Sequence, residues 1–323
     1  MTDFFLLLDK IEQLNHSLLR PRLICQKGVA LSGSFYCYIS LGDYTAAPFF
    51  QNPNQEISVT ARFSNIMGGI SGGDSHRDTR GFAVRFFADT ESYDLLCHNM
   101  PVYAIRDPLK FPQLIESLAA SQKTPGEQPG FWKFLAENPE AITLALHLYS
   151  NKGTIKSYRF MEGYSVNTYK WINKQKEETY IRYRWVPLCK GDEYHEGRKG
   201  ISYQEAEFLA GFSPDCCAAD LGIALEEGNF PVFELEVQIM DKKQAEEWGD
   251  TFLSTTLMWP EEYFPYFKIG KMTLKERLPK EQEERLYFVP SNLAEGIAFA
   301  DEPFVSILDF ILKVDARQRG VLK

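Results

Sequence analysis

Runs of β-branched and aromatic residues, bounded by Gly, Pro, Asn or Asp, dominate the middle of the chain. Several of these runs alternate between apolar and polar positions, which is typical of strands with one buried face. The pattern predicts strands at residues 28–41, 57–66, 80–88, 142–150, 178–186 and 231–240. The polar run "NKQKEET" at residues 173–179 predicts a solvated hairpin tip.

Helical spacing of apolar residues is found outside these strands, at residues 109–121, 202–212 and 301–319. In the last segment, Asp301 is placed to cap a helix that has Pro303 in its first turn. The N-terminal run has no basic leader, and it predicts a helix over residues 1–19 rather than a secretory signal. Many strands with peripheral helices predict a single α+β domain built on an antiparallel barrel.

Composition and charge narrow the possible partners. The 323 residues are 44% hydrophobic and 14% aromatic, which suffices for a sizeable core. A net charge of −9 argues against nucleic acids and anionic membranes as partners, because both attract basic surfaces. No segment reaches the roughly 18 consecutive apolar residues of a membrane span. We therefore expect a partner that is a small molecule, and a homo-oligomer is compatible with the sequence.

The cysteines are scattered and lack the CxxC spacing of many metal and redox sites. They are Cys25, Cys37, Cys97, Cys189, Cys216 and Cys217. Because no export signal is evident, we expect reduced thiols in a cytoplasmic protein.

Several long motifs occur in a familiar order: "VTARFSN", "RGFAVRFF", "YDLLCHNMPVYAIRDPLKFP", "MEGYSVNTYKWIN" and "FVPSNLAEGI". Together they resemble the core of the catalase superfamily, over about residues 20–320. The resemblance implies a catalase-type antiparallel eight-stranded β-barrel with flanking helices in a single domain. It also implies that the barrel core, including the C-terminal helix, occupies residues 20–323 after the N-terminal helix.

The residues that carry haem chemistry in this family are replaced. In a catalase, a distal histidine and an asparagine act on peroxide above the haem, and a tyrosinate binds the iron from below. By resemblance, Cys25 stands at the histidine position and His98 at the asparagine position. The helix motif R-x-x-x-Y falls on Leu308 and Leu312, which would form an apolar floor. We therefore expect a haem-free protein without catalase activity; haem bound through another ligand is the alternative.

Other positions of the resembled haem pocket are retained. Arg22, Arg62 and Arg319 align with arginines that bind the haem propionates. Ser64 aligns with the serine beside the distal histidine, and Phe111 aligns with a distal aromatic residue. We expect this set to bind a small molecule with an acidic group, because guanidinium groups bind carboxylates well. The alternative is that the arginines only form structural ion pairs.

Cys25 and His98 align with two positions that face one cavity in the resembled fold. A thiol within reach of an imidazole is the arrangement that produces a thiolate nucleophile. We expect Cys25 to act as nucleophile on an acyl or other electrophilic substrate. His98 would act as the base, and Ser64 would hold the Cys25 thiol in position. The alternative is that Cys25 only fills the space of the histidine. Cys97 is expected to point away from the cavity, and without a further ligand no metal site is predicted.

Three functions remain open from the sequence. The main hypothesis is a haem-free enzyme that uses the Cys25 thiol. The second is a haem-binding, catalase-related protein that acts on peroxide or an organic hydroperoxide. The third is a non-catalytic protein that binds a small molecule in the former haem cavity.

Overall fold

The computed structural model describes residues 22–66, 71–122, 129–188 and 200–322. The helix predicted over residues 1–19 lies outside these residues. The strands are β1 (Gly28–Cys37), β2 (Ile57–Asn65), β3 (Arg80–Phe87), β4 (Ser92–His98), β5 (Gly163–Tyr164), β6 (Tyr169–Ile172), β7 (Glu178–Pro187), β8 (Val232–Met240), β9 (Tyr266–Arg277) and β10 (Ile297–Phe299).

Eight of these strands close into an antiparallel barrel. In the order β1–β2–β3–β4–β5–β7–β8–β9 each strand pairs with the next, and β9 returns to β1. Strands β6 and β10 form a short branch on β7. The turn from β6 to β7 is the hairpin tip predicted from the polar run at residues 173–179. The eight-stranded antiparallel barrel is confirmed.

Helices flank the barrel, as expected. They are α1 (Phe111–Gln122), α2 (Pro129–Glu137), α3 (Ile142–Leu148), α4 (Tyr203–Phe212), α5 (Cys216–Glu226), α6 (Lys242–Trp248), α7 (Lys280–Arg285) and α8 (Pro303–Gln318). Among the described residues, no single helix has the length and apolar composition of a membrane span, although the bent pair α4 and α5 meets that test when taken together.

The strand predicted at residues 142–150 is wrong, because this segment forms α3. Its buried residues are Leu144, Ala145 and Leu148, which have helical rather than alternating spacing. Over so short an apolar run, the two periods are hard to distinguish. The predicted cap of α8 also differs. Pro303 does occupy the first turn, but the residue at the N-cap is Glu302, and its side chain makes no capping hydrogen bond.

Two apolar clusters position the functional site. The barrel interior is filled by large side chains, many of them aromatic. Phe35, for example, contacts Phe86 and Trp185 edge to face, with ring centroids 5.2 and 6.3 Å away. A second cluster lies where α1, α2, α3 and α8 pack on the segment that follows β4. The main cavity lies between the two clusters, so the filled barrel forms one of its walls.

Candidate functional site

A cavity of about 210 Å³ separates the barrel from the second apolar cluster. Strands β2, β3 and β4 form one side of the cavity, and helices α1, α2, α3 and α8 contribute to the other. Each residue that the sequence marked as a site residue lines it: Arg22, Cys25, Arg62, Ser64, His98, Phe111, Leu308, Leu312 and Arg319. The structure therefore brings the whole predicted set together, and the role of each member stays a prediction.

Strand register brings the polar residues of the cavity side by side. Ser64 on β2 is paired with Gly81 on β3, and Gly81 is paired with His98 on β4. A Cβ atom at Gly81 would lie 2.7 Å from Ser64 Oγ and 3.4 Å from Cys25 Sγ. Gly81 thus leaves the space in which the Ser64 hydroxyl and the Cys25 thiol meet.

Cys25 has an unusual backbone and a poorly ionised thiol. Its φ of 57° lies in the left-handed region, and its carbonyl accepts a hydrogen bond of 3.0 Å from Arg62 Nη1. Burial raises the pKa of the Cys25 thiol, and hydrogen bonding with Ser64 and the charge of Arg62 oppose this only in part. This environment does not favour the thiolate that the sequence predicts, and the role of Cys25 as nucleophile stays a prediction. A desolvated thiol stays protonated at neutral pH.

His98 is a neutral hydrogen-bond donor in this structure. Burial lowers its pKa to about 3, so the ring carries no charge at neutral pH. Its Nδ1 accepts a hydrogen bond of 3.2 Å from the amide of Met100. A neutral imidazole whose Nδ1 accepts must carry its proton on Nε2. This arrangement does not favour the predicted role of His98 as a base, because Nε2 has no free lone pair.

The Nε2–H group of His98 has no hydrogen-bond partner among the described residues. The imidazole ring is held by stacking on Tyr103, with ring centroids 4.6 Å apart, and Tyr103 in turn packs on Phe304 at 5.0 Å. His98 therefore presents one oriented donor at the wall of a mainly apolar cavity.

The two leucines that α8 presents to the cavity offer no ligand for a haem iron. Leu308 and Leu312 of α8 line the cavity where the resemblance implies the proximal arginine and tyrosine. Leucine has no donor atom, so this wall does not fit an iron that needs an axial ligand. No three His, Cys, Asp or Glu side chains group to hold a metal ion within the described parts of the chain. Cys97 packs in the barrel core and also borders the cavity, although the sequence predicts that it points away.

The three arginines bind groups of the chain itself. Arg22 Nη2 donates to the carbonyl oxygens of Glu283 and Leu286, at 3.0 and 2.8 Å. Arg62 Nε lies 3.3 Å from Glu283 Oε1. Arg319 Nε lies 2.9 Å from Asp315 Oδ2, and its Nη1 donates to the carbonyl of Glu284 at 2.9 Å. These contacts match the structural alternative left open by the sequence.

Three residues near the site were not predicted. Tyr103 lies in the same motif as His98, five residues later, and only this proximity in the sequence could have pointed to it. Glu283 lies on α7, which shows no chemical pattern in the sequence. Glu302 is buried and interacts electrostatically with Tyr103, neither of its carboxyl oxygens makes a well-formed hydrogen bond in the described chain, and burial raises its pKa to about 7.

Comparisons with known proteins agree with this architecture. The sequence profile of the family described as Catalase matches residues 1–319. A catalase of Methanosarcina barkeri is 37% identical over 300 residues, which cover 92% of this chain and 58% of that protein. Catalase-2 of Bacillus subtilis is 32% identical over 304 residues, which cover 92% of this chain and 43% of that protein.

A solved structure extends the likeness to three dimensions. The crystal structure of a fungal catalase matches with a TM-score of 0.86 and 32% identity, covering 98% of this chain and 62% of that one. The barrel and helices are therefore of the catalase type. The chain spans less than two thirds of the length of each of these three proteins.

Proposed function

Because the chain belongs to the catalase family, we propose that its cavity binds a small, largely apolar molecule that accepts a hydrogen bond from His98. The observation that carries this proposal is the buried Nε2–H of His98, which lacks a partner in the described part of the chain. An unpaired buried donor costs about 1–3 kcal/mol. A ligand acceptor that meets this donor recovers that free energy.

The cavity has the size and surface for such a ligand. An engineered cavity of about 150 Å³ binds benzene, so about 210 Å³ holds a somewhat larger molecule. The apolar part of the ligand would contact Leu308, Leu312 and Phe111, and each buried methylene would contribute roughly 0.8 kcal/mol. One oriented donor in an apolar pocket gives the ligand a fixed direction.

Thiol chemistry at Cys25 stays a hypothesis within this proposal. The left-handed backbone of Cys25 supports it, since strained positions collect at functional sites. The raised pKa of the thiol and the neutral ring of His98 do not support it, because neither group promotes a thiolate at neutral pH. Binding without covalent chemistry therefore has the better support from the site.

Haem binding is the second candidate function. The relatives are named catalases, and this favours the haem-binding alternative over the haem-free thiol enzyme. The three arginines at the cavity also suit the carboxylates of a haem. Against this candidate, the wall formed by Leu308 and Leu312 has no ligand atom for iron.

Absorption spectroscopy separates the two candidates. For protein purified from cells supplied with haem, we expect no Soret band and no release of oxygen on addition of hydrogen peroxide. Haem at one equivalent with vigorous oxygen release would establish the second candidate and overturn the first.

Calorimetry tests the role of His98 directly. The probe is octan-2-one, which has one acceptor oxygen and an apolar chain. We expect it to bind the wild-type protein and to bind His98→Leu about fivefold more weakly, because one hydrogen bond is worth on the order of 1 kcal/mol. His147→Leu, which changes a histidine outside the cavity lining, should bind like wild type. Equal affinity of wild type and His98→Leu would refute the role given to His98.

A further inference from the structure

The carbonyl end of α7 covers the arginine cluster of the cavity. Arg22 and Arg319 both donate to carbonyl oxygens of this end, from Glu283, Glu284 and Leu286. The last carbonyls of a helix carry partial negative charge, and that of Glu283 also accepts a hydrogen bond of 3.1 Å from the N–H of the cap residue Leu286. These carbonyl oxygens therefore accept hydrogen bonds from the guanidinium groups, as the carboxylate of an acidic ligand would.

The side chain of Glu283 completes this cover. Its carboxylate reaches Arg62 at 3.3 Å, and only 13% of the side chain is exposed. A buried carboxylate beside an arginine occupies the same donors that an acidic ligand would need. It also repels a second carboxylate at close range.

We propose that Glu283, together with the carbonyl end of α7, is a built-in counter-ligand of the arginines that makes the cavity select neutral ligands over acidic ones. This inference rests on the proposed function and names the ligand class of the same site. It differs from the acidic small molecule that the sequence predicts.

The charges around the three arginines explain why Glu283 determines whether the cavity accepts an acidic ligand. Arg22, Arg62 and Arg319 carry three positive charges, and Glu283 and Asp315 carry two negative ones, which leaves one positive charge in excess. Burial, and to a lesser degree the charges of Arg62 and Arg319, lower the pKa of Arg22 to about 9. Neutralising Glu283 would raise the excess to two and free donors of Arg62 for an outside anion.

Titration of two matched probes tests the inference. Octan-2-one and octanoate have chains of equal length and differ in charge, and both are measured by calorimetry at pH 7.5. We expect wild type to bind octan-2-one at least tenfold more tightly than octanoate. In Glu283→Gln, octanoate should gain about tenfold or more in affinity, and octan-2-one should be unchanged.

Two further variants make the test specific. Glu281→Gln removes an exposed charge from the same helix, so it should leave both affinities at the wild-type values. Glu283→Ala removes the carboxylate in a second way and should show the same gain for octanoate if Glu283→Gln does not fold.

The outcomes separate this inference from the proposed function. Binding of octan-2-one without a gain for octanoate in either Glu283 variant overturns the counter-ligand and leaves the proposed function standing. Equal binding of the two probes by wild type overturns it as well. If no probe binds wild type or any variant, both the inference and the proposed function fail.

Discussion

Glu302 offers a sharp test of the electrostatics next to the cavity. The residue is 9% exposed, and neither carboxyl oxygen makes a well-formed hydrogen bond in the described chain, although the nearby backbone of Thr168 favours the carboxylate. The positive charges of Arg182 and, to a lesser degree, Arg106 act on Glu302. The guanidinium of Arg182, however, donates to backbone carbonyls of Phe252, Ser254 and Leu257. The replacement Glu302→Gln keeps the shape of the side chain and removes its titration.

The magnitude follows from the pKa of Glu302. Burial raises this pKa from an ordinary value of 4.5 to about 7, against the opposing charge of Arg182. A raised carboxyl pKa stabilises the fold fully below the unfolded value, and the stability is lost as the pH rises toward the folded value. The interval from 4.5 to about 7 is worth on the order of 3 kcal/mol, since a tenfold change in ionisation is about 1.4 kcal/mol.

Urea unfolding at several pH values measures this effect. At pH 4.5 we expect the unfolding free energies of wild type and Glu302→Gln to agree within about 1 kcal/mol. At pH 8 the variant should be more stable by on the order of 3 kcal/mol, because only wild type then buries a charge. Other carboxyl groups titrate equally in both proteins, so the difference between them isolates Glu302.

The control is Glu246→Gln, which replaces an exposed glutamate of α6 and should show no such pH dependence. A difference between wild type and Glu302→Gln that is the same at pH 4.5 and pH 8 would refute the reasoning. It would mean that Glu302 ionises in the folded protein as it does in the unfolded chain.

Two more predictions concern thiols and packing. Cys25 and Cys216 are both half-buried, but desolvation raises the pKa of the Cys25 thiol, whereas a hydrogen bond with Cys217 lowers the pKa of Cys216 to about 7. Peptide mass spectrometry after iodoacetamide labelling at pH 7.5 should therefore find Cys216 modified well before Cys25. Early labelling of Cys25 would instead support the thiol-enzyme hypothesis. Gly81→Ala places a methyl group 2.7 Å from Ser64 Oγ and should lower the unfolding free energy by about 1–3 kcal/mol. Gly222→Ala, where no heavy atom lies within 4 Å of the new Cβ, should not destabilise, and an equal loss in both variants would contradict the packing argument.

Much of the fold was predictable because strands can be recognised from short stretches of the sequence. Runs of β-branched and aromatic residues bounded by Gly, Pro, Asn or Asp correctly located the segments that became β1, β2, β3, β7 and β8. The same pattern wrongly predicted a strand at α3, because an apolar run of a few residues fits both the helical and the strand period. The resemblance added the closure of the barrel, which local patterns do not specify.

The membership of the site was also predictable, whereas its chemistry was not. Side chains such as Cys25 and His98 are placed by the fold, and the resemblance carries that placement. Their protonation depends on burial and on neighbours that come from distant parts of the chain. Arg22, for example, bonds to Glu283 across 261 positions, and no local pattern indicates that pairing.

Most side chains that fill the barrel are different from the side chains that line the cavity. The aromatic cluster lies inside the ring of strands, and the predicted site residues line a cavity outside that ring. Substitutions at well-separated sites act almost independently. A few substitutions at the cavity can therefore change which ligand it binds while the barrel keeps its packing, so an inherited fold does not by itself determine the function.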